Sequence, residues 1–203
     1  MPNLFILSGC NGSGKTTASY GLLPEMLECK QFVNSDEFAK GLSPFCPESA
    51  SIQASRLMLL KIRYLLERKE NFSIETTLAT RFLLSLMIDA QEQGYFATVI
   101  YFWLNTPDLA IERVKARVAI GGHDIPEETI RRRFFVGLKY FFRDYVPVCD
   151  HWILADNSHI PFTVVAEGSK LGATVIRDQK KFDCIFAQAS QEKRIGEIIV
   201  KPK

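Results

Sequence analysis

The chain has 203 residues, 47% of them hydrophobic, and carries 25 Lys and Arg against 23 Asp and Glu. A chain of this length buries roughly 70% of the surface that its unfolded form exposes, so it needs neither disulfide nor metal to hold a core. The formal net charge of +2 argues against an electrostatic nucleic-acid platform and rules out an acidic disordered tail.

Strands alternate with longer helical stretches along most of the chain. Leu4 to Ser8 is a continuous apolar run, the pattern of a strand buried on both faces. Lys15 to Leu23 reads as a helix that Pro24 ends or kinks. Gln31 to Asn34 is a short strand, and Glu48 to Glu70 a long helix with Ile52, Leu59, Ile62 and Leu66 near helical spacing. Phe72 to Ile74 is a third strand, followed by a helix over Arg81 to Gln93, with Gly94 placed to end it. Ala97 to Leu104 is the fourth strand. Thr106-Pro107-Asp108 then combines a cap, a first-turn proline and an acid, which starts a helix to about Ile120. Glu127 to Tyr145 is a further helix and Trp152 to Ala155 a fifth strand. After Asn157, short strands are expected at Phe162 to Ala166, Ala173 to Ile176 and Phe182 to Phe186, with frayed residues at the end through Lys203.

This alternation predicts an α/β fold with a parallel sheet covered on both faces. Residues 1–160 form the core, with a lid over about 118–132. Residues 161–203 form a small antiparallel, β-rich extension.

Gly9-Cys10-Asn11-Gly12-Ser13-Gly14-Lys15-Thr16 fits the phosphate-loop pattern G-x-x-x-x-G-K-[ST], after an apolar strand and before a helix. Glycines let successive backbone N–H groups face phosphate oxygens, and the helix N-terminus adds its positive end. Lys15 supplies a point charge for the β- and γ-phosphates. Thr16 offers a hydroxyl to Mg²⁺, and Thr17 follows it in the same first turn. Cys10, inside the loop, reads as a small space-filler. The signature segment of ABC-type ATPases and the guanine-reading NKxD are both absent.

A kinase further needs a carboxylate near the acceptor hydroxyl and a cationic lid. Asp36, after the second strand, reads as the base or as a helix cap. Glu75, Thr76 and Thr77, after the third strand, face the acceptor or reach the metal through water, with Arg81 a further candidate. Capping of the next helix explains Thr77 or Thr80 as well. Arg113 and Arg117 are four apart and share a helix face. Gly121-Gly122-His123-Asp124-Ile125-Pro126 is a flexible link before Arg131-Arg132-Arg133. Helical spacing puts Arg132 opposite the apolar stripe of that helix, Arg133 beyond its other edge and Arg131 nearest the core. Catalytic contacts are therefore expected from Arg132 and Arg133, against a solvated basic face. His123 contacts a phosphate, the acceptor, or only its own loop.

Together with Asn34 to Ala39, Glu75 to Leu78, Arg113 to Val118, Gly121 to Pro126, Arg132-Arg133-Phe134 and Asp156-Asn157-Ser158, these residues resemble the zeta-toxin-like family of P-loop kinases over about residues 3–165. The resemblance implies a P-loop NTPase three-layer sandwich with a five-stranded parallel sheet, order 2-3-1-4-5, and a mobile lid. It implies ATP- and Mg²⁺-dependent phosphorylation of a small-molecule hydroxyl, in the toxins that of UDP-N-acetylglucosamine, and an antitoxin protein as a partner. By the same resemblance Asp36 is the base, Arg117 and Arg133 clamp the γ-phosphate, Arg113 stacks on adenine and Asn157 lies at the adenine edge. The loop residues Gly9, Asn11, Gly12, Ser13, Gly14, Lys15 and Thr16 hold the phosphates. Lys40 to Arg56, the region that would select the acceptor, matches no pattern. A nucleotide-dependent regulatory module and a kinase for another hydroxyl compound, such as a nucleoside, are the alternatives.

The five cysteines, Cys10, Cys29, Cys46, Cys149 and Cys184, are odd in number and show no CxxC or zinc-like spacing, which points to a reducing compartment. The apolar start lacks a basic lead-in and reads as a strand, not a signal peptide. The run Phe96 to Leu104 is far shorter than the roughly 20 residues that span a bilayer. A soluble, cytoplasmic protein with neither nucleic acid nor membrane as partner is expected.

Overall fold

A computed structural model describes residues 1–25, 28–172 and 174–190. Its centre is a seven-stranded sheet in the order β2-β3-β1-β4-β5-β6-β7. The strands are β1 (Asn3–Ser8), β2 (Gln31–Val33), β3 (Phe72–Thr76), β4 (Phe96–Trp103), β5 (His151–Asp156), β6 (Thr163–Gly168) and β7 (Val175–Ile176). The first five pair in parallel, in the expected order. β6 and β7 extend the sheet antiparallel beyond β5. Five parallel strands thus become seven in all.

The helices are α1 (Lys15–Glu25), α2 (Ser35–Leu42), α3 (Ser51–Glu67), α4 (Phe82–Glu92), α5 (Pro107–Ala119), α6 (Glu127–Tyr140) and α7 (Gln179–Ser190). α1 continues one residue past Pro24. A 3-10 turn, Pro47–Ala50, precedes α3, so the long helix expected from Glu48 starts later. α6 ends in a wider π-helical turn, Phe141–Tyr145. The Thr106 cap forms as predicted, its Oγ1 accepting from Leu109 N at 3.1 Å. Gly94, just past α4, has φ +88°.

One predicted strand is a helix. Phe182 to Phe186 lies inside α7, where Ile185 and Ala189 are buried and Phe182 packs against the same core. Spacings of three and four along this run are a helical period, which a five-residue apolar window does not reveal. Asp178 caps the helix, its Oδ1 accepting from Lys181 N at 3.0 Å. Trp103 Nε1 donates to Gln188 Oε1 at 3.1 Å and Lys181 Nζ pairs with Asp156 Oδ2 at 2.8 Å, fixing α7 to the sheet. The expected strand at Ala173 to Ile176 is seen as β7, with Ala173 outside the described residues; the frayed end expected through Lys203 also lies outside them.

Leu4, Ile6, Phe72, Ile74, Ala97 and Val99 are fully buried at the sheet's centre. Ser8, Val33, Thr76 and Asp156 end their strands at one edge, the carboxyl edge of the parallel strands, where open α/β sheets bind ligands.

Candidate active site

The loop between β1 and α1 wraps because three of its glycines adopt positive φ: Gly9 +140°, Gly12 +79° and Gly14 +81°. A methyl group at Gly12 would meet Ala110 O at 2.4 Å, and one at Gly14 would meet Asn157 Nδ2 at 2.4 Å. Both positions therefore need glycine for conformation and for space. The first-turn amides of α1 have no acceptor within the helix. Asn157, after β5, donates from Nδ2 to Ser13 O at 2.7 Å and pins the loop from the far side.

Lys15 is 6% exposed and donates to Cys10 O at 2.8 Å. Burial lowers its pKa, and the Glu75 carboxylate, 3.9 Å away, opposes that fall more than any other group. Glu75 is the hub of the site. Its Oε2 accepts from Thr16 Oγ1 at 2.8 Å and from Asn34 Nδ2 at 3.0 Å. Asn34 is buried and does a second job: its Oδ1 accepts from Asp36 N at 2.8 Å and caps α2. The cap is therefore Asn34, and Asp36 sits in the first turn of α2 with its carboxylate free to face the cleft.

Two clefts flank these residues. One, of about 540 Å³, is lined by Gly12, Gly14, Thr17, Arg113, Arg117 and Asn157 and closed by Ile160, Pro161 and Phe162. The other, of about 220 Å³, lies between β3, α3 and α4 and is lined by Thr76, Thr77, Met58, Phe82 and Arg133, among others. Asn11, Lys15, Asp36 and Glu75 line both.

Arg113 is held in the first cleft by Asn157 O at 2.8 Å and Ser158 O at 3.0 Å. Ser158 is set in turn by buried Asp156, whose Oδ1 accepts from its N and Oγ at 2.9 and 2.6 Å. Burial alone would raise Asp156, but hydrogen bonds from Lys181 and Ser158 hold its pKa below the ordinary carboxylate value. Arg117, exposed at the cleft mouth, donates to His123 O at 2.8 Å. Arg133 reaches the loop itself, donating from Nη1 to Asn11 Oδ1 at 2.9 Å. Burial, and then Arg132 beside it, lower its pKa, while Asp36 opposes them. Cys10 is buried and pushed up to about 11, which suits a filler and not a nucleophile.

Three expected site residues are placed elsewhere. Arg81 turns away from the acceptor cleft to Asp144, 3.4 Å from its Nε, and lies over the ring of Tyr140. Arg132 lines neither cleft; of the triple, only Arg133 reaches the loop, and Arg131 pairs with Asp108. His123 lines a small recess beside Asp36 and its Nδ1 pairs with Glu48, so it faces neither main cleft. Gly9 and Ser13, expected to hold phosphates, line neither cleft; a methyl group at Gly9 would meet Phe102 O. Residues missed in the sequence are Asn34, whose place before Ser35-Asp36-Glu37 is a capping signal, and the wall formed by Ile160, Pro161 and Phe162.

The hydroxyl of Thr16 and the carboxylate of Glu75 are hard oxygen donors in direct contact, a set that suits Mg²⁺, which takes one or two carboxylates and shares the rest of its shell with water and phosphate. Among the described residues no cluster of three His, Cys, Asp or Glu forms a metal cage.

Sheet order and loop define a P-loop α/β fold. Residues 4–134 match the AAA domain family, and the chain belongs to it. An uncharacterized protein of Haemophilus influenzae is 32% identical over 127 residues, 62% of this chain and 88% of that protein. Among solved structures, the AvrRxo1-ORF1:AvrRxo1-ORF2 complex with sulphate ions has a TM-score of 0.75 at 16% identity, over 95% of this chain and 66% of that one. The same pair with ATP gives 0.72 at 17% identity, over 95% of this chain and 65% of that one. The chain thus spans just under two thirds of that relative's length. The PezAT chromosomal toxin-antitoxin system of Streptococcus pneumoniae gives 0.65 at 16% identity, over 99% of this chain and 88% of that one. At these identities the likeness is one of fold, and it is the fold that the resemblance to zeta-toxin-like kinases implies.

Proposed function

We propose that the protein is an ATP- and Mg²⁺-dependent kinase that transfers the γ-phosphoryl group to the hydroxyl of a small molecule. The observation that supports this most is the meeting of two clefts on Asn11, Lys15, Asp36 and Glu75. A switch or motor needs a nucleotide cleft alone. A transferase needs a second one that opens onto the same phosphorus.

In this reading the loop amides and Lys15 hold the β- and γ-phosphates, and Arg113 with Asn157 borders the base. Thr16 and Glu75 hold Mg²⁺, which when bound neutralises phosphate charge. Asp36 accepts the proton of the acceptor hydroxyl. The acceptor oxygen forms a bond to the γ-phosphorus as the bond from that phosphorus to the β–γ bridging oxygen breaks, and ADP leaves with that electron pair. Arg133 and Arg117 stabilise charge on the group in transit, as cis arginine fingers do. Residues 118–132 act as the lid that excludes water.

The structure solved with ATP in the AvrRxo1 pair supports the choice of nucleotide. A second protein in that complex, and the antitoxin of PezAT, support an antitoxin-type partner here. Five free cysteines support a cytoplasmic setting, and among the described residues no helix is long and apolar enough to cross a membrane. The resemblance makes UDP-N-acetylglucosamine the reference acceptor, against which other hydroxyl compounds, nucleosides among them, are compared. The test is ADP release measured with and without each acceptor. Release stimulated by an acceptor and matched by phosphorylated product supports a kinase. Slow release that no acceptor alters, with ATP-dependent capture of a partner protein, would replace it with a regulatory module.

A further inference from the structure

The acceptor cleft differs from the nucleotide cleft in size and in charge. At about 220 Å³ it has less than half the volume of its neighbour at about 540 Å³. A nucleoside diphosphate sugar has more non-hydrogen atoms than ATP, so the smaller cleft does not enclose one.

Its cations tell the same way. Lys15 and Arg133 are the two that line the cleft, and both also touch the phosphate loop, at Cys10 O and Asn11 Oδ1. The donor's phosphates therefore claim them. Two further cations of neighbouring segments are matched by acids: Arg81 by Asp144 and Lys40 by Glu37. A second diphosphate would find no cationic seat of its own, and desolvating it without one is costly. Apart from Asp36 and Glu75, which the base and metal roles occupy on the kinase reading, what remains in the cleft is neutral: the side chains of Asn34, Ser35, Thr76, Thr77 and Thr80, with Met58, Leu83 and Phe82.

Phe82 is the informative residue. It is the first residue of α4 and stays 52% exposed, although the core beneath it buries Leu83 and Met87. A large aromatic left open in a polar cleft presents a flat face to a ligand that is polar at its edge and apolar across its C–H face. A sugar ring has that character. On the kinase reading, we infer that the acceptor is a compact, uncharged polyhydroxy compound of monosaccharide size, with one ring face on Phe82 and one hydroxyl at Asp36.

The test is ATP-dependent transfer by the full chain to neutral monosaccharides and cyclic polyols, to nucleosides and to UDP-N-acetylglucosamine, with Asp36→Asn as the transfer-dead control. The inference expects kcat/KM for the best neutral sugar or polyol to exceed that for the UDP-sugar by at least about tenfold. Phe82→Ala should raise KM for that acceptor about tenfold or more, and Phe82→Tyr, which keeps the flat face, should restore it. Preferred transfer to the UDP-sugar, or to a nucleoside, overturns the inference while leaving the kinase intact. An acceptor KM unchanged in a folded Phe82→Ala variant also overturns it. Transfer to none of the three classes overturns the kinase reading and this inference with it.

Discussion

Glu75→Gln separates the charge of the hub from its hydrogen bonds. Gln keeps an oxygen that accepts from Thr16 and Asn34, as Glu75 does at 2.8 and 3.0 Å. What it loses is the negative charge 3.9 Å from Lys15, a side chain only 6% exposed. At an effective dielectric constant of ~20 that attraction is about 4 kcal/mol. Relief of the desolvation of Glu75, which is 11% exposed, offsets part of it. Asp36 still favours the charged lysine. A net loss of about 2 kcal/mol follows, and at roughly 2–4 °C per kcal/mol for a domain of this size Tm falls by about 4–8 °C. The pH dependence has a definite sign. Burial already lowers Lys15 below its ordinary value of 10.5, so the unfolded chain binds more protons between the folded and unfolded pKa values, and stability rises with pH through that window. Glu75→Gln lowers the folded value further, so the rise begins at lower pH than in the native protein. Thermal unfolding followed by circular dichroism, from neutral to alkaline pH without phosphate or nucleotide, measures both effects. An unchanged Tm together with an unchanged pH slope would refute the role given to Glu75.

Other consequences test the loop and the arginines. Arg133→Ala removes a guanidinium that touches Asn11 and is expected to slow phosphoryl transfer by about 10³-fold, the low end for an arginine finger. Arg132→Ala, which removes a side chain outside both clefts, is expected to cost less than tenfold in the same single-turnover assay. Gly14→Ala forces a methyl group to within 2.4 Å of Asn157 Nδ2 at a positive φ. Displacement of Asn157 from Ser13 O should weaken ATP binding at least tenfold by calorimetry. Lys181→Met leaves buried Asp156 without its partner at 2.8 Å. Loss of order at Ser158 and Arg113 should raise KM for ATP several-fold with little change in kcat.

The phosphate loop was legible because all its parts are contiguous and its glycines are needed at fixed offsets. The parallel strand order was legible from strand–helix alternation together with the resemblance. Asp36 was legible as a residue that follows a strand, but its cap was not assigned to Asn34. Glu75 was legible as a residue facing the acceptor or reaching the metal through water, but not as a hub, because the groups that make it one, Thr16 and Asn34, are 59 and 41 residues away in the chain. The arginine triple was settled by packing. A methyl group at Gly137, one turn after Arg133, would lie 2.4 Å from Thr77 O, so that face of α6 rests on the end of β3 and carries Arg133 to the loop. Asp108, in the first turn of α5, draws off Arg131. Arg81 was misplaced because Asp144 and Tyr140, which hold it, come from the distant end of α6 and the turn after it.

The central claim is that Asp36 faces the phosphorus shared by two clefts and takes the acceptor's proton. Single-turnover transfer of labelled γ-phosphate, native protein against Asp36→Asn, tests it most directly, with ATP affinity measured alongside. The account predicts a loss of roughly 10²–10⁴-fold in transfer with ATP affinity within about threefold of native, since the side chain exchanged lies at the cleft and not in the loop. Transfer at the native rate by Asp36→Asn would contradict it.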